Sequence, residues 1–341
     1  MPVKLRTSVR LNNDLPVETF VDLAVRAERA GFDQVWVSHD LFLRSAPVLL
    51  AAAATATERV LLGVGVLNPY SAHPVELAMH AATLQELSGG RAILGIAAGA
   101  AGFLELAGIT REQPLLRTRQ TLLACRALLD GAPPAADDST GKWGPDAHLL
   151  APPAQRVPVY LGAMSPKMQA LGGELADGVL ALLFPPEHYP VAREQVSSGR
   201  DLAHRRAEEV DIPACVWVSV AETQEAAQAA LAQKLVFYGP EFSPYLLARV
   251  GLAPEDFWPA AAAQRKGNVH EATRLITPSM LRLGMAGTPE DVVNRCTPLI
   301  EQGATHLSFG PPLGPDPLRA IELLGQQVIP ALRATAPTVS E

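Results

Sequence analysis

A chain of 341 residues with 48% hydrophobic and 18% charged side chains can bury a large core, which excludes a mainly disordered protein. Its 28 basic and 35 acidic residues leave a formal charge of −7 with no Lys/Arg tract, which argues against a nucleic-acid partner. The uncharged apolar run Ala92 to Leu104 is shorter than the ~20 residues needed to cross a bilayer, so no membrane partner is expected either. Three dispersed cysteines, Cys125, Cys215 and Cys296, read as reduced core thiols of a cytoplasmic protein.

The chain repeats a phrase of helix, glycine and strand. Leu5–Val9 reads as a first strand. Pro16 and Glu18 then mark a helix start, because proline fits the first turn and a carboxylate suits the positive end of the dipole. Phe20, Leu23, Ala24, Ala27 and Ala30 fall at helical spacing, Gly31 can end the helix, and Phe32–Val37 follows as a strand. After strand Val60–Val66, helix Pro74–Leu87 passes through Gly89-Gly90 into strand Ala92–Ala97. Residues 130–157, rich in Pro, Ala, Asp and Gly, read as a long loop or hairpin over the sheet.

Beyond it come strand Pro158–Gly162, helix Pro166–Ala176 and strand Val179–Leu183, the last two joined by Asp177-Gly178. Strand Ile212–Val220 precedes a mainly helical stretch, 221–285, with Glu222–Leu235 and Ala248–Arg265 as its segments. Helix Pro289–Gln302, Gly303 and strand Thr305–Phe309 close the series. About eight strands alternating with helices predict a parallel (β/α)8 TIM barrel, one domain over 1–341 with 130–157 and 221–285 as insertions.

In such a barrel, chemistry sits where strands end. That rule selects Ser8 and Arg10; Ser38, His39 and Asp40; Gly65 to His73; Ala98 and Gly99; Gly162 to Lys167; Leu183 and Phe184; Trp217 and Ser219; and Ser308 and Gly310. Gly63 and Gly65 within one buried strand signal a bulge or a close approach to a ligand, against the plainer reading of a strand ending in an Asn-Pro turn. At Gly162-Ala163-Met164-Ser165-Pro166, small residues run into a helix start whose free N–H groups suit a phosphate; a simple Ser cap reads equally well. His39-Asp40 is a candidate proton-handling pair, with a helix-capping role for Asp40 and a surface position for His39 as the alternative. Arg91, at the other end of its strand, reads as an anchor of the barrel floor.

Several segments together resemble the bacterial-luciferase-like superfamily. The resemblance is to its coenzyme F420-dependent branch, typified by methylenetetrahydromethanopterin reductase. The carrying residues are Ala30–Ser38, Gly63–Tyr70, Ser88–Gly95, Leu161–Met168, Gly173–Leu180 and Phe309–Pro315, which span nearly the whole chain. The resemblance implies a TIM barrel with insertions and a cis peptide between Gly65 and Val66 that supports the deazaflavin ring. It implies a ring pocket completed by Asn68, Ala98 and Gly99, and a cofactor phosphate near Gly162, Ala163, Met164 and Ser165, with Gly178 and Val179 close by.

The sequence also departs from that branch. The acid expected at the end of the first strand is matched by Ser8, the Gly-Asp after the fourth by Gly99-Ala100, and the Asp-His after the second by His39-Asp40. The departures fall on the substrate side, so a methylene-pterin handled in the usual way is not expected. The expected function is hydride transfer between F420 and an organic substrate such as an imine, enone or pterin-like compound, by a homodimer. An FMN-dependent monooxygenase, or a cofactor-binding protein without catalysis, is the alternative.

Overall fold

The computed structural model describes residues 5–135, 137–138 and 141–335. Eight parallel strands form its centre: β1 (Arg6–Leu11), β2 (Gln34–Val37), β3 (Leu61–Leu67), β4 (Ala92–Ile96), β5 (Val159–Gly162), β6 (Gly178–Leu182), β7 (Ala214–Val220) and β8 (His306–Leu313). Each pairs with the next, and β8 pairs with β1 through Ser308 opposite Ser8, so the sheet closes into a barrel. A short strand, Met285–Gly287, adds to the outer part of β7.

The helices follow from their periodicity. Val17–Arg29 buries Phe20, Leu23, Ala24 and Ala27 and ends before Gly31, which takes φ +86°. Arg91 anchors the floor as its position suggests. Its guanidinium donates to the carbonyls of Ala54, Thr57, Val60 and Ser88, closing the carboxyl end of helix Ala46–Ala56.

Two stretches depart from the expected pattern. The last strand runs four residues beyond Phe309, through a cis Pro311–Pro312 bond and a register shift against β7. In the helical stretch Gln224–Tyr238 is one long helix, but 248–265 is broken. Gly251 at φ +71° and Pro254 divide it, and only Trp258–Arg265 is α-helical. These helices build a second core around Leu231, Leu235, Leu247 and Phe257, joined by Phe184 just after β6 and Trp217 from the middle of β7. The first helix of the stretch is thereby fixed over the barrel mouth. The segment 130–157 contains a short antiparallel pair, Asp137–Asp138 with Gly141–Lys142, and its Trp143 packs on His73 with rings 5.0 Å apart.

Candidate active site

A cleft of about 520 Å³ opens at the carboxyl ends of the strands. Its floor is the upper part of β3. The bond between Gly65 and Val66 is cis, and the β3–β4 register shifts between Val64 and Leu67, so a bulge lies where the sequence signals one. The two glycines of that strand have different surroundings. A Cβ on Gly63 would lie 2.4 Å from the Trp36 ring, so that glycine serves packing. Gly65 faces the cleft, and its nearest neighbour would be the same ring at 3.2 Å. Val66 leans over Gly162, where a Cβ would come within 3.0 Å of it.

One end of the cleft is the start of helix Pro166–Leu175. Ser165 is its N-cap, accepting weakly from Met168 N at 3.4 Å, and Met164 and Ser165 are exposed. On the adjoining side lie Ala98 and Gly99, the latter at φ +74°, with Arg111 donating to its carbonyl at 2.9 Å. Asn68 also lines the cleft, but its carboxamide is spent on the turn, accepting from Tyr70 N and Ser71 N.

The opposite wall carries the ionisable groups. His39 Nδ1 accepts the Ala46 N–H at 3.2 Å, so the imidazole, and not Asp40, caps the helix that begins there. That bond leaves the ring proton on Nε2, and burial together with nearby His80 lowers the pKa of His39. Asp40 is instead turned to Ser38 and Lys234. Burial raises its pKa, and the Lys234 ammonium offsets part of the rise. His39 and Asp40, read from the sequence as a candidate proton-handling pair, thus each have a different hydrogen-bonding partner.

Lys234 comes from helix Gln224–Tyr238. Its ammonium lies 4.3 Å from the Tyr238 ring centre and 5.9 Å from that of Trp217. Burial lowers its pKa to about 8 against the pull of Asp14 and Asp40. Tyr238 is pushed up to about 12 by burial and by the same two carboxylates, so it stays a neutral phenol. Arg10 forms part of the floor, donating to Val216 O at 2.7 Å, and burial lowers its pKa.

Of the residues selected from sequence, His39, Asp40, Gly65, Val66, Asn68, Ala98, Gly99, Gly162, Ala163, Met164 and Ser165 all line this one cleft. Gly178 and Val179 do not. Gly178 begins β6 at the barrel's amino end, where a Cβ would strike the Tyr160 ring at 2.3 Å, and Val179 is buried against the helix at Gly172. Ser8 is a second correction. It lies within β1, fully buried against His306, while the loop after β1 supplies an acid in Asp14. Lys234, Tyr238 and Arg111 were not among the selected residues.

The residues suit a phosphorylated planar cofactor. The slot is apolar over the bulge, and a helix start with exposed Met164 and Ser165 lies at its end. Comparison with known proteins gives the class. Residues 3–306 match the luciferase-like monooxygenase family, and the chain belongs to that family.

Within it, the chain is 35% identical to 5,10-methylenetetrahydromethanopterin reductase of Methanolobus tindarius over 317 residues, covering 92% of this chain and 96% of that one. An F420-dependent glucose-6-phosphate dehydrogenase of Amycolatopsis mediterranei is 29% identical, with 92% and 94% covered. The solved structure of the coenzyme F420-dependent tetrahydromethanopterin reductase from Methanopyrus kandleri superposes with a TM-score of 0.89 at 29% identity, covering 96% of this chain and 99% of that one.

Proposed function

We propose that this chain is an F420-dependent oxidoreductase. It would hold the deazaflavin over the Gly65–Val66 bulge, with the phosphate at the start of helix Pro166–Leu175, and act on an organic carbonyl, imine or enone. The observation that carries the reading is the β3 bulge at Gly65 and Val66 lying in one cleft with the helix start at Ser165. The named relatives support it. When bound, the cofactor supplies the carbon that gives or takes hydride. The protein's part is to seat the ring, exclude water with the Trp217 and Tyr238 wall, and stabilise charge at the substrate heteroatom. His39 fits the last task as a hydrogen-bond donor, because its Nε2 carries the proton.

Equilibrium binding tests the cofactor. F420 should bind and FMN should not, whereas FMN binding alone would favour the monooxygenase reading. Turnover is then assayed with methylenetetrahydromethanopterin, glucose 6-phosphate and simple imines and enones. On the substrate that is turned over, His39→Gln should lower the rate about 100-fold with F420 affinity unchanged; an undiminished rate removes His39 from the mechanism. A homodimer fits the apolar groove between helices Ala46–Ala56 and Pro74–Leu87, where Val48, Met79 and Leu87 are exposed. Sedimentation of the wild type against Met79→Glu tests it.

A further inference from the structure

We infer that Lys234, whose ammonium lies over the Tyr238 and Trp217 rings in the cleft, is the catalytic residue that supplies the proton accompanying hydride transfer. The inference rests on the oxidoreductase reading above and names the group which that reading leaves open. Placing a hydride on the carbon of a C=N or C=O bond moves the π pair to the heteroatom. The Lys234 Nζ–H bond breaks and its proton joins that pair. The substrate thereby gains two electrons and two hydrogens, and the neutral amine is re-protonated from water.

The geometry separates Lys234 from its neighbours. Its ammonium packs on Tyr238, one turn along its own helix, and on the Trp217 ring of β7, and the charges that act on it are Asp14 after β1 and Asp40 after β2. His39 is committed as a neutral ring, since its Nδ1 accepts a backbone N–H and its pKa is lowered. Tyr238, near 12, holds its proton too tightly. An arginine guanidinium does not give up its proton in proteins, which sets Arg10 aside. Lys234 alone among these is cationic at neutral pH and able to part with its proton there, because burial brings it to about 8. The aromatic wall serves this role as well. Two ring faces stabilise the ammonium without binding its protons, so they stay available to a substrate.

The sequence has five lysines, Lys4, Lys142, Lys167, Lys234 and Lys266, so isotope-labelled lysine gives a spectrum in which Lys234→Met identifies one resonance. That resonance should titrate near 8, well below the ordinary lysine value of about 10.4. Titration of Lys234 at that ordinary value overturns the proposal, whatever the protein binds. In the reducing direction, turnover should fall as pH rises through about 8, because the amine then lacks the proton to give. Lys234→Arg keeps the charge but not the proton transfer. It should lower turnover about 100-fold while F420 affinity changes less than about threefold. Full activity of Lys234→Arg would show that a fixed charge suffices and would overturn the role. Failure of the wild type to bind F420 would instead sink the oxidoreductase reading, and the lysine titration would still stand.

Discussion

The two ends of the barrel hold the same kinds of side chain in opposite conditions. At the amino end, Ser8 Oγ lies 2.9 Å from His306 Nε2, and His306 Nδ1 lies 2.8 Å from Asp211. In outline this is a Ser-His-Asp triad, yet Ser8 and His306 are fully buried, and both carboxylate oxygens of Asp211 are engaged by Arg6, Tyr160 or His306. Burial alone would raise the Asp211 carboxyl, but His306, Arg6 and the Tyr160 hydroxyl hold it below its usual range. At the carboxyl end, His39 and Lys234 line an open cleft. A constellation therefore becomes a site through unspent valence and access, not through residue types.

The largest expected effect falls on the closed end. Asp211→Ala leaves Arg6, Tyr160 and His306 without their shared acceptor inside the barrel. It should cost about 3–5 kcal/mol in urea denaturation, as broken buried charge networks do. A loss under about 1 kcal/mol would mean the floor is wet or loosely held, and the contrast between the two ends would fail.

At the open end a substitution should cost function more than stability. Gly65→Val places its side chain in the cleft, with its Cβ 3.2 Å from a Trp36 ring that has to give by only a few tenths of an ångström. F420 affinity should fall about 100-fold or more while unfolding shifts by less than about 2 kcal/mol, the modest strain of mild overpacking. Normal binding by a folded variant would move the cofactor off the bulge. Gly63→Ala, two residues earlier, is the control, since its Cβ would sit 2.4 Å from the same ring and should cost stability instead.

These glycines show how far the sequence carries. The alternation of helix, glycine and strand reveals the barrel because each unit repeats the same local chemistry. It also ranks strand ends as the place to look, and of the thirteen residues given a catalytic or cofactor role, by that rule or by the resemblance, eleven line the cleft. What it misses depends on contacts between distant segments. Gly63 and Gly65 look alike until Trp36 is seen beside one of them. Gly178 and Val179 carry a family motif but lie at the wrong end of β6, because a motif fixes order along the chain and not height in the barrel. Pro311 and Pro312 hide the end of β8, since prolines seldom continue a strand. Lys234 reads as a solvated position in an alanine- and glutamine-rich helix. Only the folding of residues 221–285 over the mouth brings it to Asp14 and Asp40.

The smallest effect concerns the helix start that the cofactor phosphate is proposed to use. Ser165 accepts from Met168 N, and an aspartate caps a helix as well as a serine does, so Ser165→Asp should leave stability within about 0.5 kcal/mol. Its carboxylate would also satisfy the positive end of helix Pro166–Leu175. The added charge then acts almost wholly on whatever anion the cleft binds. Two like charges a few ångströms apart near a protein surface repel by at least about 1.4 kcal/mol, so F420 affinity should fall about tenfold. The loss should shrink with added salt, because the site is exposed and screened. Measured at low and high salt, this separates charge repulsion from a distorted helix start, which salt would not repair. Unchanged affinity at low salt would place the phosphate at another rim of the cleft, and Arg111, donating to Gly99 O on the adjoining side, is where the next substitution belongs.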